Sequence, residues 1–178
     1  MRLHKAFLSI LVLAGFAPAE LVDSAANGFT VKTVLTIQSP PDDVYRRLVR
    51  NVGDWWNPAH TLSGNASNLR IEEQPAGCFC EKLPNNGVAR HMEVVFVAPG
   101  KGLILRGALG PMQPLAVTGS MQIQLTAVET GTRLEVTYAV GGYLSKGLNT
   151  WAAAVDMVLA EQFTRLKSLI ETGQPASK

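Results

Sequence analysis

Residues 29–64 read FTVKTVLTIQSPPDDVYRRLVRNVGDWWNPAHTLSG. In the first ten, Phe29, Val31, Leu35 and Ile37 share one parity, which predicts a strand with one buried face. Ser39 then offers an N-cap, Pro40 and Pro41 suit a first helical turn, and Asp42 and Asp43 sit where the helix dipole favours negative charge. Val44, Leu48 and Val49 give that short helix a buried side. Gly53 interrupts it, and Trp55 and Trp56 lead through Asn57-Pro58 into a loop that runs past His60 to Asn68.

Short runs separated by turn signals follow: NLRIEE, CFCEKL, VARHMEVVFVA and LILRGAL. Asn86-Gly87 before the third run is a hairpin signal. From about Leu115 to Val128, Val117, Met121, Ile123 and Leu125 alternate with polar residues, and Leu134, Val136, Tyr138 and Val140 repeat the pattern after the turn at Glu129–Thr132. From about Leu144 to Thr172 the period changes. Leu148, Trp151, Val155, Leu159, Gln162, Leu166 and Leu169 step by three and four, as in an amphipathic helix. The reading is an α+β domain with a long C-terminal helix and short helices after the first strand.

This order, with the TGTRLEVTYAVGGY run at 130–143 and WWNPAHTLSG at 55–64, resembles the START/SRPBCC or helix-grip superfamily, which includes polyketide cyclase-like, lipid-transfer and birch-pollen-allergen-like proteins. The second run is similar to one exported bacterial subgroup. The resemblance covers roughly Phe29 to Ile170 and is one of pattern rather than of a catalytic signature. It implies a helix-grip fold, a curved antiparallel sheet of about six to seven strands wrapped around the helix, enclosing an apolar cavity that holds a small molecule.

At the N-terminus, Arg2, His4 and Lys5 precede an apolar run and a small-x-small site at Ala17–Ala19, the grammar of a secretory signal peptide. The run is about 11 residues, too short to span a bilayer. The expected organisation is a signal peptide at 1–19, an extension at 20–27, one domain at 28–172 and a tail at 173–178. The mature chain is then periplasmic or extracellular with no membrane span. A retained amphipathic anchor is the alternative. Taking Arg2 and Lys5 from the 16 Lys and Arg leaves as many basic residues as the 14 Asp and Glu. A neutral chain without a basic run argues against nucleic acid as a partner, because phosphate binding needs clustered cations. Oligomeric state is not readable.

Cys78 and Cys80 are the two cysteines of the chain. Spaced two apart, they read as buried small side chains, as a strained or transient bridge, or as soft metal ligands. His91 and Glu93 share a parity on a neighbouring run, but no CxxC or HExxH spacing accompanies them, so no metal and no cofactor is expected.

For ligand contact, the inward parity nominates Met121, Ile123, Val136 and Tyr138 on the sheet and Trp151, Val155 and Leu159 on the helix, each equally fit for plain core. One of Trp55 and Trp56 is expected to pack while the other lies at the cavity mouth. Arg106, among leucines, either faces water or turns inward to a carboxylate such as Glu93 or a ligand's own. His60, His91 and Glu93 are the acid–base candidates. Asp156 reads as a solvated or rim residue. The leading expectation is a binding protein for a hydrophobic or amphipathic small molecule: a lipid, polyketide-like or aromatic compound. The alternatives are a cyclase-, dehydratase- or hydrolase-type enzyme using the same cavity, and a protein-interaction module.

Overall fold

The structure, a computed structural model, describes residues 19–177. The expected signal peptide therefore lies, but for Ala19, outside the described residues. Among these residues the chain forms one antiparallel sheet of eight strands and a long C-terminal helix. The strands are β1 (Ala19–Ala25), β2 (Gly28–Ile37), β3 (Leu69–Ile71), β4 (Cys78–Lys82), β5 (Val88–Ala98), β6 (Gly102–Arg106), β7 (Ala116–Val128) and β8 (Gly131–Tyr143). Helix α1 (Pro41–Arg50) and the single turn α2 (Val52–Trp55) follow β2, and α3 (Asn149–Thr172) closes the fold.

Eight strands exceed the six to seven expected. The addition is β1, which the sequence reading assigned to Ala19 of the signal peptide and to the extension. Ala19–Ala25 hydrogen-bonds along β2 despite a weak apolar alternation and exposed side chains at 20–25, because the backbone ladder to β2 holds an edge strand without a buried face of its own. The sheet order is β1-β2-β8-β7-β6-β5-β4-β3.

Three bulges bend the sheet. Each leaves one residue without a partner: Val22 in β1, and His91 and Val95 in β5. A bulge turns neighbouring side chains to the same face, and His91 and Met92 are accordingly both buried while Val95 and Phe96 are both exposed. The expected shared parity of His91 and Glu93 fails for this reason. His91 turns inward and Glu93 outward.

The core follows the alternation read from the sequence. Phe29, Val31, Leu35 and Ile37 from β2, Met121, Ile123 and Leu125 from β7, and Leu134, Val136, Tyr138 and Val140 from β8 are all buried. Leu159, Phe163 and Leu166 of α3 join that cluster. Burying one such side chain contributes about 1.5–3 kcal/mol.

Two local expectations change. Pro40, not Ser39, occupies the cap position of α1 and offers no side-chain bond; the Ser39 carbonyl instead accepts the Thr132 hydroxyl at 2.6 Å. The β4–β5 hairpin forms as expected, but Asn85 and Asn86, with φ of 57° and 61°, take the left-handed positions that the Asn86-Gly87 pair was expected to fill. Asparagine tolerates that region well enough for both.

Helix α3 lies against β2 and β1. Coverage of the sheet is therefore lopsided. The β3–β5 end is left for the loops at 56–62 and 109–112 to cover, and the space described next lies there.

Candidate functional site

Between the first half of α3, strands β3–β5 and those two loops lies a cavity of about 340 Å³. Its walls are predominantly apolar: Trp56, Leu69 and Phe79 on one side, Met112 at the 109–112 turn, Trp151 and Leu159 on the helix. A volume in the low hundreds of Å³ with apolar walls is the usual form of a small-molecule site. His60, Thr61 and His91 also line it.

The 56–62 loop is fastened to α3 through Asn57. Its backbone N–H donates to Gln162 Oε1 at 2.7 Å, its side-chain Oδ1 accepts the Ala59 N–H at 2.9 Å, and its Nδ2 donates to Glu161 Oε1. Asn57 thus caps the 3-10 turn Pro58–His60 while docking it on the helix. His60 is held twice. Its carbonyl accepts the Trp56 indole N–H at 3.1 Å, and its ring Nε2 lies 3.2 Å from Glu161 Oε2.

A second carboxylate–imidazole pair holds the far end of the loop. Glu81 is fully buried; it accepts the N–H groups of Leu62 at 3.0 Å and Ser63 at 2.5 Å, and lies 2.9 Å from His91 Nε2. Burial alone would raise the Glu81 carboxyl, but the bonds from Ser63, Leu62 and His91 together outweigh it and hold the group below its usual value of 4.5. On its other side, His91 Nδ1 is 3.0 Å from Gln113 Nε2, and the same amide donates to the Arg90 carbonyl at 3.2 Å. A carbonyl only accepts, so that bond fixes the Gln113 NH₂ as the donor. His91 is therefore the neutral tautomer with its proton on Nε2, and both ring nitrogens are occupied.

Phe79 sits between the two cysteines and faces the cavity, its ring 5.3 Å from Trp56 and 5.2 Å from His91. Cys78 and Cys80 form a disulfide and are both buried. Of the three readings open for them, the structure takes the bridge. The register of β4 against β5 shifts at the Phe79–Cys80 step, between the two cysteines.

Tyr138 props the other wall from below. Its hydroxyl donates to the Gly107 carbonyl at 3.0 Å and accepts the Leu109 N–H at 3.3 Å, and burial pushes it up to about 12. Its ring crosses Gly119 so closely that a Cβ there would meet it at 2.6 Å.

The sequence-nominated residues divide cleanly. Trp56, His60, His91, Trp151, Val155 and Leu159 line the cavity. Met121, Ile123, Val136 and Tyr138 are buried core and do not line it, because α3 closes directly over the sheet's other half. Trp55 packs inward, its rings 5.8 Å from Phe163, and donates to the Arg47 carbonyl. Arg106 faces water, directly across from Glu93, whose carboxylate takes Arg90 at 3.1 Å. Asp156 is half-buried, its Oδ1 has no partner among the described residues, and burial raises its carboxyl.

Sequence reasoning missed Asn57, Glu81, Gln113 and Glu161. Asn57-Pro58 was a readable cap signal, and Glu81 inside the apolar CFCEKL run was a readable anomaly. Gln113 and Glu161 carried none, since their roles depend on which loop lands beside them. Among the described residues no cluster of His, Cys, Asp and Glu is arranged to hold a metal, and no helix is long and apolar enough to cross a membrane.

No family model matches the chain, and no curated protein matches it. Solved structures do. Protein MLL2253 from Mesorhizobium loti is 21% identical with a TM-score of 0.55, over 79% of this chain and 95% of its own. A conserved protein of unknown function from Enterococcus faecalis, EF2215, is 18% identical with a TM-score of 0.57, over 90% and 80%. A protein of unknown function from Staphylococcus aureus, SA2116, is 13% identical with a TM-score of 0.59, over 82% and 95%. At these identities the likeness is one of fold: a curved antiparallel sheet with a C-terminal helix.

Proposed function

We propose that the protein is a helix-grip domain of the START/SRPBCC type that holds a hydrophobic or amphipathic small molecule, and that it does so outside the cytoplasm after losing its first 19 residues. The observation that carries this reading is the cavity of about 340 Å³ with aromatic and aliphatic walls beside α3. Folded interiors close to crystal-like density, and unfilled apolar space costs stability. A fold that keeps such a space beside an otherwise filled core gains by filling it with a ligand at about 25 cal/mol per Å² of apolar surface removed from water.

Trp56 and Trp151 both face the cavity, so occupancy is reported by their fluorescence. Titration with an alkylbenzene is expected to give saturable quenching that Val155→Trp abolishes. Quenching that never saturates, or that survives Val155→Trp unchanged, overturns the reading. An enzyme working in the same cavity is the second reading, favoured by one observation: the His60 ring stands on the cavity wall, backed by a carboxylate at 3.2 Å.

A further inference from the structure

The hydrogen-bonding groups on the cavity wall are few enough to take one by one. The Thr61 hydroxyl donates to the Pro58 carbonyl at 2.8 Å, and the Trp56 indole N–H is committed to the His60 carbonyl. His91 has both nitrogens occupied, by Glu81 and Gln113. The Thr61 oxygen keeps acceptor capacity, but the one wall nitrogen without a partner among the described residues belongs to His60. Its Nε2 faces Glu161 Oε2, and a carboxylate only accepts, so the neutral ring carries its proton on Nε2. In that neutral form Nδ1 is a bare lone pair, and among the described residues no donor reaches it.

The His60 side chain is part-exposed on an apolar wall, so a ligand that covers it without a matching hydrogen leaves that acceptor stranded and binds less well. The partner that fits is an O–H group rather than an ether or a ketone. Aromatic walls from Trp56, Phe79 and Trp151 favour a flat apolar body. We propose that the ligand is a hydroxylated apolar compound of the phenol or enol class, and that its hydroxyl donates to His60 Nδ1. Glu161 acts as the positioning residue, keeping the proton on the far nitrogen, and Asn57 in turn fixes Glu161.

The proposal rests on the cavity being a ligand site, and the test separates the two. Affinities of para-propylphenol and propylbenzene are measured by Trp fluorescence titration on the full mature protein, for the unaltered chain and for His60→Ala and His60→Phe. The expected result is that the ratio of phenol to hydrocarbon affinity falls about tenfold in both variants while propylbenzene binds each as before, the size of one lost hydrogen bond. Two variants of opposite bulk guard against a change in cavity shape. If both compounds bind but their ratio is the same in all three proteins, the hydroxyl anchor is wrong and the container stands. If neither compound binds the unaltered protein, both ideas fail.

Discussion

Oε2 of Glu81 lies 2.9 Å from Nε2 of His91, and both side chains are withdrawn from water. The same carboxylate gathers the N–H groups of Leu62 and Ser63, so the far end of the loop over the cavity hangs from one buried charge. Glu81→Gln turns half of that acceptor into a donor facing other donors. A loss of about 2–4 kcal/mol in urea-unfolding stability is expected. A variant as stable as the parent would show that the loop is held elsewhere.

The same carboxyl predicts an acid limit. Its folded value is held below the unfolded 4.5, so its stabilisation is complete above that pH and is lost as the pH falls through the folded value. The urea midpoint should drop as the pH falls below 4.5 in the parent and drop less steeply in Glu81→Gln. Parallel curves for the two proteins would assign acid sensitivity to other groups.

Tyr138 contributes to an alkaline limit with the opposite sign. Burial raises it from 10.0 to about 12, so the folded state keeps a proton that the unfolded chain releases. Stability is full below pH 10 and falls by about 3 kcal/mol as the pH climbs to about 12. Burial raises Tyr45 to about 12 as well, so Tyr138→Phe removes about half of the combined dependence, at a cost of about 1–3 kcal/mol near neutrality, since Gly107 O and Leu109 N lose their partner. An unchanged alkaline profile in the variant counts against this.

The Cys78–Cys80 bridge closes a loop of three residues, for which chain entropy gives only about 1–2 kcal/mol. Its reduction by a dithiol should lower the unfolding midpoint by only a few degrees. Phe79, which it brackets, touches Trp56, so a change in Trp emission is expected without unfolding. Global unfolding on reduction, or an unchanged spectrum, would contradict that local role.

Much of the fold was legible because period carries it: Phe29 to Ile37 and Leu134 to Val140 alternate, Leu148 to Leu169 step helically, and each pattern matches its buried face. β1 was missed because Leu21 and Val22 stay exposed and so leave no strong apolar parity. The cavity's place was missed for a deeper reason. Parity says which side chains turn inward but not whether a helix covers them, so Met121 and Val136 read like Trp151 and Leu159. The β5 bulge at His91 defeated the parity rule outright, and the Glu161–His60 contact joins positions a hundred residues apart in the chain.

Native mass spectrometry of the protein purified from its own host bears most directly on the container. The account predicts the mature chain plus one small apolar molecule, and the bare chain alone from Val155→Trp, whose indole takes up the space beside Leu159 and Trp151. A parent that arrives empty and shows no saturable uptake of hydrophobic compounds would contradict it.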